Sequence, residues 1–116
     1  MDLPTLESIA LSFPGVEKEI KWKSDLVFMV GHKMFFVIDL EGPPHSASFK
    51  VADEDFEELA ATAHFRPAPY FARHHWVMID NVSKARIAEW KQYIETSYGL
   101  VYEKLPPKKK GEIQDH

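Results

Sequence analysis

The sequence predicts an α+β domain of two layers, an antiparallel β-sheet with helices packed on one side of it. Two segments with strand-like patterns, residues 26–30 and 33–40, are separated only by Gly31-His32, which is typical of a tight hairpin. Apolar residues at helical spacing occur near both ends of the chain. Because the strands follow one another without helices between them, an antiparallel sheet is favoured over a parallel one.

The N-terminal half supplies a helix and a series of strands. Apolar residues from Leu3 onwards predict a helix that ends at Phe13-Pro14-Gly15. Residues 16–22 then alternate imperfectly, which indicates an edge strand or imperfect burial, and we expect Trp22 to be buried on the apolar side of this strand. A glycine first in the following Gly31-His32 dipeptide suits a type II′ turn.

Alternation also assigns side chains to the two faces of the next strands. Within residues 33–40, Phe36 faces one way, and Lys33 and Phe35 face the other. Residues 46–51 alternate in the same manner and place Lys50 on the exposed face. We therefore expect the ammonium groups of Lys33 and Lys50 on one face of the sheet.

The C-terminal half adds two helices with a strand between them. Asp53 is a plausible N-cap for a helix that extends to residue 63, and a strand is predicted over residues 75–80. Ser83 can cap a long helix that ends before Pro106-Pro107, with Trp90 in its buried stripe. Residues 1–107 are thus predicted to form a single domain, and residues 108–116 a disordered basic and polar tail.

The segment over residues 66–76 is the most unusual part of the chain. It is rich in proline, aromatic and basic side chains, and its two X-Pro steps restrict the backbone to extended geometry. We expect it to hold a fixed shape and to present Arg66, Tyr70, Arg73 and Trp76 beside the two lysines of the sheet. Such a surface could hold phosphates by charge and bases by stacking.

Composition and missing motifs narrow the class of protein. The 116-residue chain has no cysteine, which excludes a disulfide framework and a thiolate nucleophile. It contains no His-Glu-x-x-His, no Gly-x-Ser-x-Gly and no glycine-rich phosphate loop, so we predict no catalytic residue, metal or cofactor. The net charge of −4 counts against a large DNA-coating surface. We expect no secretory signal and no membrane span, and hence a cytoplasmic protein.

Several short motifs, in order and spacing, make the chain resemble the MmcQ/YjbR family of small bacterial proteins over residues 3–107. The motifs are Phe13-Pro14-Gly15-Val16-Glu17, Gly31-His32-Lys33-Met34-Phe35, Ser48-Phe49-Lys50, Arg66-Pro67-Ala68-Pro69-Tyr70, Trp76-Val77, Ser97-Tyr98-Gly99-Leu100-Val101 and Lys104-Leu105-Pro106. The resemblance implies a CyaY-like α+β fold and a predicted role in DNA binding. It marks Lys33, Lys50, Pro69, Tyr70 and Trp76 as residues of interest.

One departure from the family pattern concerns local charge. His74-His75 stands where a glycine or a stretch rich in lysine and arginine is expected before Trp76, so the charge there depends on pH.

The leading hypothesis is a non-enzymatic DNA-binding protein, with a monomer favoured. Lys33, Lys50, Arg66 and Arg73 would contact phosphates, and Tyr70 and Trp76 would stack on bases or shape the groove. Two alternatives use the same residues. One is a pocket for a small anionic ligand or a peptide, and the other is a protein-interaction module with aromatic anchors.

Overall fold

One six-stranded antiparallel sheet with helices on one of its faces makes up the computed structural model, which describes residues 2–69 and 71–114. The strands lie in the order β1-β2-β3-β4-β6-β5. In chain order the elements are α1 (Leu3–Leu11), β1 (Val16–Lys21), β2 (Asp25–Val30), β3 (Lys33–Asp39), β4 (Ala47–Lys50), α2 (Phe56–Ala60), β5 (Phe65–Pro67), β6 (Trp76–Ile79), α3 (Ile87–Glu103) and α4 (Pro107–Gln114). The predicted α+β fold class is confirmed.

The core lies between the sheet and α3. Trp90 of this helix is completely buried, and its ring contacts Phe36 of β3 and Phe49 of β4 at centroid distances of 5.8 and 5.7 Å. Its indole Nε1–H donates to the carbonyl of Val82 at 2.9 Å, so burial leaves no polar atom of the ring unpaired. The predicted core position of Trp90 is confirmed.

A β-bulge in β3 alters which side chains enter the core. The pairing with β2 shifts from Phe28↔Phe36 to Met29↔Met34, which leaves Phe35 as an extra residue. Phe35 and Phe36 are both fully buried, and Phe35 packs edge-on against Tyr98 of α3. The prediction that these two neighbours face opposite sides was wrong, because strict alternation does not survive a bulge.

The turn between β2 and β3 is a two-residue hairpin, as predicted, but of another type. Gly31 and His32 have φ values of +56° and +67°, and positive φ at both positions is the type I′ geometry. Gly31 also allows a close approach, since a Cβ there would lie 2.8 Å from Leu105 Cδ1. The hairpin therefore also packs against Leu105, in the segment after α3.

Strand β1 is the sheet edge predicted from its imperfect alternation, but its end differs from expectation. Trp22 is 60% exposed and has a φ of +50°, which places it in the turn after the strand. Its predicted burial was wrong. The apolar side of an edge strand is covered only where the helix layer extends over it, and Ile20 is likewise 61% exposed.

The C-terminal segment corrects the predicted tail. Residues 107–114 form helix α4, and Ile113 is only 7% exposed within the core cluster. Its side chain lies over Gly15, where a Cβ would come within 2.9 Å of Ile113 Cγ2. Asp115 and His116 lie outside the described residues. Among the helices of the described ranges, none combines the length and the apolar character that crossing a bilayer requires.

Candidate functional site

Residues 68–69 and 71–75 lie over the face of the sheet that carries no helix. In β6, Val77 and Ile79 belong to the helix-side core, so Trp76 and Met78 point to the opposite face. Backbone bonds tie the segment down at both ends: Ala68 N–H donates to the carbonyl of Trp76 at 3.0 Å, and Val51 N–H to that of His75 at 2.9 Å. The described part of the segment therefore follows a defined path over the sheet.

Phe71 of this segment stands between two cavities. Its ring lies 5.7 Å from that of Trp76, centroid to centroid, and it lines two concavities, one beside the C-terminal end of α3 and one on the open face of the sheet. We call the first the basic groove. It has a volume of about 380 Å³, and its polar lining consists of Lys33, Lys50, His74 and Lys104. We call the second the acidic cavity, of about 550 Å³, which contains Asp25 and Asp39.

Lys50 is the best-positioned cation of the basic groove. Its Nζ donates to the carbonyl of His74 at 2.6 Å, which leaves two of the three ammonium donors for a ligand. Burial lowers the pKa of Lys50 below its ordinary value of 10.5, and the charge of Lys104 lowers it further, while Asp53 acts in the opposite direction. The neighbouring positive charge disfavours the ammonium form, and a bound anion would relieve that repulsion.

Ser97 of α3 positions the backbone beneath Lys50. This serine is completely buried, and its hydroxyl accepts from Lys50 N–H at 2.9 Å while donating to the carbonyl of Phe35 at 2.5 Å. The bridge lies just beyond the last β3–β4 pair, Phe36↔Phe49, where the bulge begins. One hydroxyl thus joins both strands to the helix. In the sequence, Ser97 stood out only as part of a family motif.

Of the residues predicted for the site, Lys33, Lys50 and Trp76 line the basic groove together. The prediction that Lys33 and Lys50 share one face of the sheet was wrong, because beyond the bulge Lys33 pairs with the core residue Val30 and so lies on the helix side. Trp76 is only 5% exposed, so it forms a wall of the groove and cannot offer a ring face for stacking. Pro69 lines the acidic cavity instead. Tyr70 lies outside the described residues.

The two predicted arginines line neither cavity. Arg66 belongs to β5, a strand that alternation did not reveal, and pairs with Met78, so it shares the open face with Lys50. From a strand spacing of about 4.8 Å and a rise of about 3.4 Å per residue, their Cα atoms lie about 12 Å apart. Arg73 is exposed in the turn next to His74. Arg66 therefore lies on the open face at a distance from the groove, and Arg73 lies beside the groove residue His74.

Sequence reasoning missed Lys104 and His74 as groove residues. Lys104 comes directly after the last residue of α3. The predicted buried stripe of that helix includes Val101 and Leu105, so the stripe already placed Lys104 next to buried residues. That stripe was the available signal, but Lys104 was noted only as part of the Lys104-Leu105-Pro106 motif and was not predicted as a site residue. The ring of His75 turns away to Asp53, Nδ1 to Oδ1 at 2.5 Å. Within residues 2–69 and 71–114 no three His, Asp or Glu side chains are grouped to hold a metal ion.

Comparison with known proteins gives a family match and two similar folds. The family model called YjbR matches residues 11–100. The crystal structure of a Deinococcus radiodurans protein with a DUF419 domain superposes with a TM-score of 0.82 at 25% identity, covering 94% of this chain and 85% of that one. A Pseudomonas syringae protein of known structure gives a TM-score of 0.72 at 17% identity, covering 87% and 99%, and supports the fold alone. No curated protein matches the sequence.

Proposed function

The chain belongs to the YjbR family, and from that premise we propose that it is a non-enzymatic, cytoplasmic DNA-binding protein whose basic groove holds phosphates. The observation that carries the proposal is the convergence of Lys33, Lys50 and Lys104 on one groove. The chain as a whole is acidic, with a net charge of −4, so this local concentration of positive charge is against the overall trend.

Phosphate binding in the groove would be electrostatic and shaped by the fold. The side chain of Lys50 is already held by its bond to the carbonyl of His74, so little side-chain freedom is lost when it contacts a ligand. Lys33 and Lys104 are exposed and can follow the phosphate backbone. Arg66, on the same sheet face, extends the positive surface beyond the groove. Such contacts favour binding without strong sequence preference.

Of the two roles suggested for Trp76 by the sequence, stacking on bases or shaping the groove, we retain the second. A ring that is only 5% exposed cannot receive a base on its face. We assign it instead to the wall of the groove, where it and Phe71 exclude water from one side of the lysines. Lower local polarity strengthens each phosphate contact.

The test is binding of fluorescently labelled DNA, duplex and single-stranded, measured by anisotropy over a series of salt concentrations. We expect affinity to fall with salt. Lys33→Ala, Lys50→Ala and Lys104→Ala should each reduce the salt slope by about one, because each removes the cation that neutralises one phosphate. Lys91→Ala is the matched control, because Lys91 lies on the same helix α3 but lines a different surface, beside α1.

Two outcomes would count against DNA binding. One is the absence of measurable affinity at low salt. The other is a triple lysine variant that binds as well as Lys91→Ala, which would place the phosphate-binding residues outside the groove.

The shape of the groove favours one further candidate, a small ligand that carries a phosphate. Its volume of about 380 Å³ lies within the range of small-molecule sites, roughly 300–1,000 Å³. A thermal-shift screen of nucleotides and sugar phosphates tests this candidate. A rise in Tm that disappears in Lys50→Ala supports it, and the absence of any rise counts against it.

A further inference from the structure

The acidic cavity is the larger of the two concavities beside Phe71. Its volume of about 550 Å³ suits a small molecule, and most of its lining is apolar. Val37 and Met78 form the floor on the sheet, and the rings of Phe71 and Trp22 stand at its sides. Trp22 is 60% exposed, so much of its ring is available for contact.

Two carboxylates break this apolar lining. Asp25 and Asp39 are direct partners across β2 and β3, so their Cβ atoms lie about 5 Å apart on the same face. Like charges opposite each other in a sheet destabilise it. Asp39 gains partial compensation, since its Oδ1 accepts from Glu41 N–H at 2.9 Å.

Nearby lysines do not neutralise the pair. Lys21 is the cross-strand partner of Asp25 on β1, but its Nζ lies 3.4 Å from Glu19 Oε1 and 6.0 Å from the ring centroid of Trp22. Neither Lys21 nor Lys23 lines the cavity. The cavity therefore combines apolar walls with an uncompensated negative charge.

We propose that the acidic cavity binds a small organic cation, a protonated aliphatic or arylalkyl amine. The ammonium group lies between Asp25 and Asp39, and the apolar part of the ligand packs against Phe71, Met78 and Trp22. The carboxylates supply charge-assisted hydrogen bonds, and the Trp22 ring supplies a cation–π contact. A small anion is repelled by the same pair.

The electrostatics of Asp25 agree with this assignment. Burial raises the pKa of Asp25, and the charges of Asp39 and Glu41 raise it further, so these surroundings disfavour the ionised form. A bound ammonium reverses that preference by adding the missing positive charge. The site uses none of the lysines of the basic groove, so the proposal stands or falls independently of DNA binding.

The experiment is an NMR titration of the full chain with phenethylamine, using phenethyl alcohol and phenylacetate as ligands of the same size that are neutral and anionic. We expect saturable shifts at the backbone amides of Asp25 and Asp39 and at the Trp22 indole with the amine alone. Equal shifts with the alcohol, or no saturable shift with the amine at millimolar concentration, would overturn the proposal.

A double variant, Asp25→Asn with Asp39→Asn, separates binding from folding. Asparagine keeps the acceptor for Glu41 N–H, removes the repulsion and leaves the cavity shape intact. We expect a higher Tm together with amine affinity at least about tenfold weaker. Glu54→Gln, an exposed carboxylate outside the cavity, is the matched control and should bind as the wild type does. Unchanged affinity in the double variant would contradict the assigned role of the carboxylates.

Discussion

Replacing Ser97 with alanine is expected to destabilise the protein far more than the loss of one hydroxyl on the surface. The buried hydroxyl pairs both Lys50 N–H and the carbonyl of Phe35, at 2.9 and 2.5 Å. Each buried polar group left unpaired costs about 1–3 kcal/mol, so the two together predict a loss of about 2–4 kcal/mol after some relaxation. For a domain of this size, that corresponds to a fall in Tm of about 8–16 °C.

Urea denaturation followed by circular dichroism, with thermal melting as a second measure, gives the free energy of unfolding. Ser12→Ala is the matched control, because its hydroxyl also donates to a carbonyl, that of Ile9 at 2.6 Å, but in an exposed position. We expect that control to lose less than about 0.5 kcal/mol. If Ser97→Ala lost no more than Ser12→Ala, the bridge between α3 and the two strands would not have the role assigned to it.

Three further predictions concern other parts of the fold. Ile113→Ala should lower the free energy of unfolding by about 2 kcal/mol, with exposed Lys108→Ala nearly neutral in the same denaturation assay; equal effects would mean that α4 is not anchored by its isoleucine. Asp25→Asn should stabilise the protein at neutral pH. Because the pKa of Asp25 is raised in the folded state, the wild type loses stability as the pH rises above about 3.8, and the variant does not. A stability difference between variant and wild type that did not shrink in acid would contradict this reasoning. Lys104→Ala should raise the pKa of Lys50 in an NMR titration while leaving it below 10.5, because burial is the larger cause; an unchanged value would place Lys104 too far away.

The fold class could be predicted from the sequence because its evidence is distributed over many residues. The alternation in the strands and the helical spacing at both ends of the chain stay recognisable even where single residues depart from the pattern. The bulge at Phe35 does not leave such a trace, since a shift of one residue in pairing depends on the fit against Tyr98 rather than on pattern. Trp22 was misassigned for a related reason: alternation indicates which face a side chain takes, but not whether a helix covers that face.

The candidate site was predicted only in part. Lys33, Lys50 and Trp76 meet in one groove, as the motifs of the strands and the following segment suggested. Helix α4 was missed because Ile113 is its one large apolar side chain, and a single residue has no periodicity. Lys104 was missed as a site residue because its position against the groove depends on how the end of α3 packs on the sheet. The pairing of Asp25 with Asp39 could not be predicted either, because it depends on the register of β2 against β3. The bulge shifts that register by one residue and was not visible in the sequence.

The position of Phe71 can couple two binding sites, because its one ring forms a wall of both the basic groove and the acidic cavity. Ligands that require different positions of that ring compete for it without touching each other. By linkage, an amine that displaces Phe71 would change phosphate affinity by the same factor as phosphate changes the affinity for the amine. Phe71 would then couple the binding of a phosphate in the basic groove to the binding of an amine in the acidic cavity.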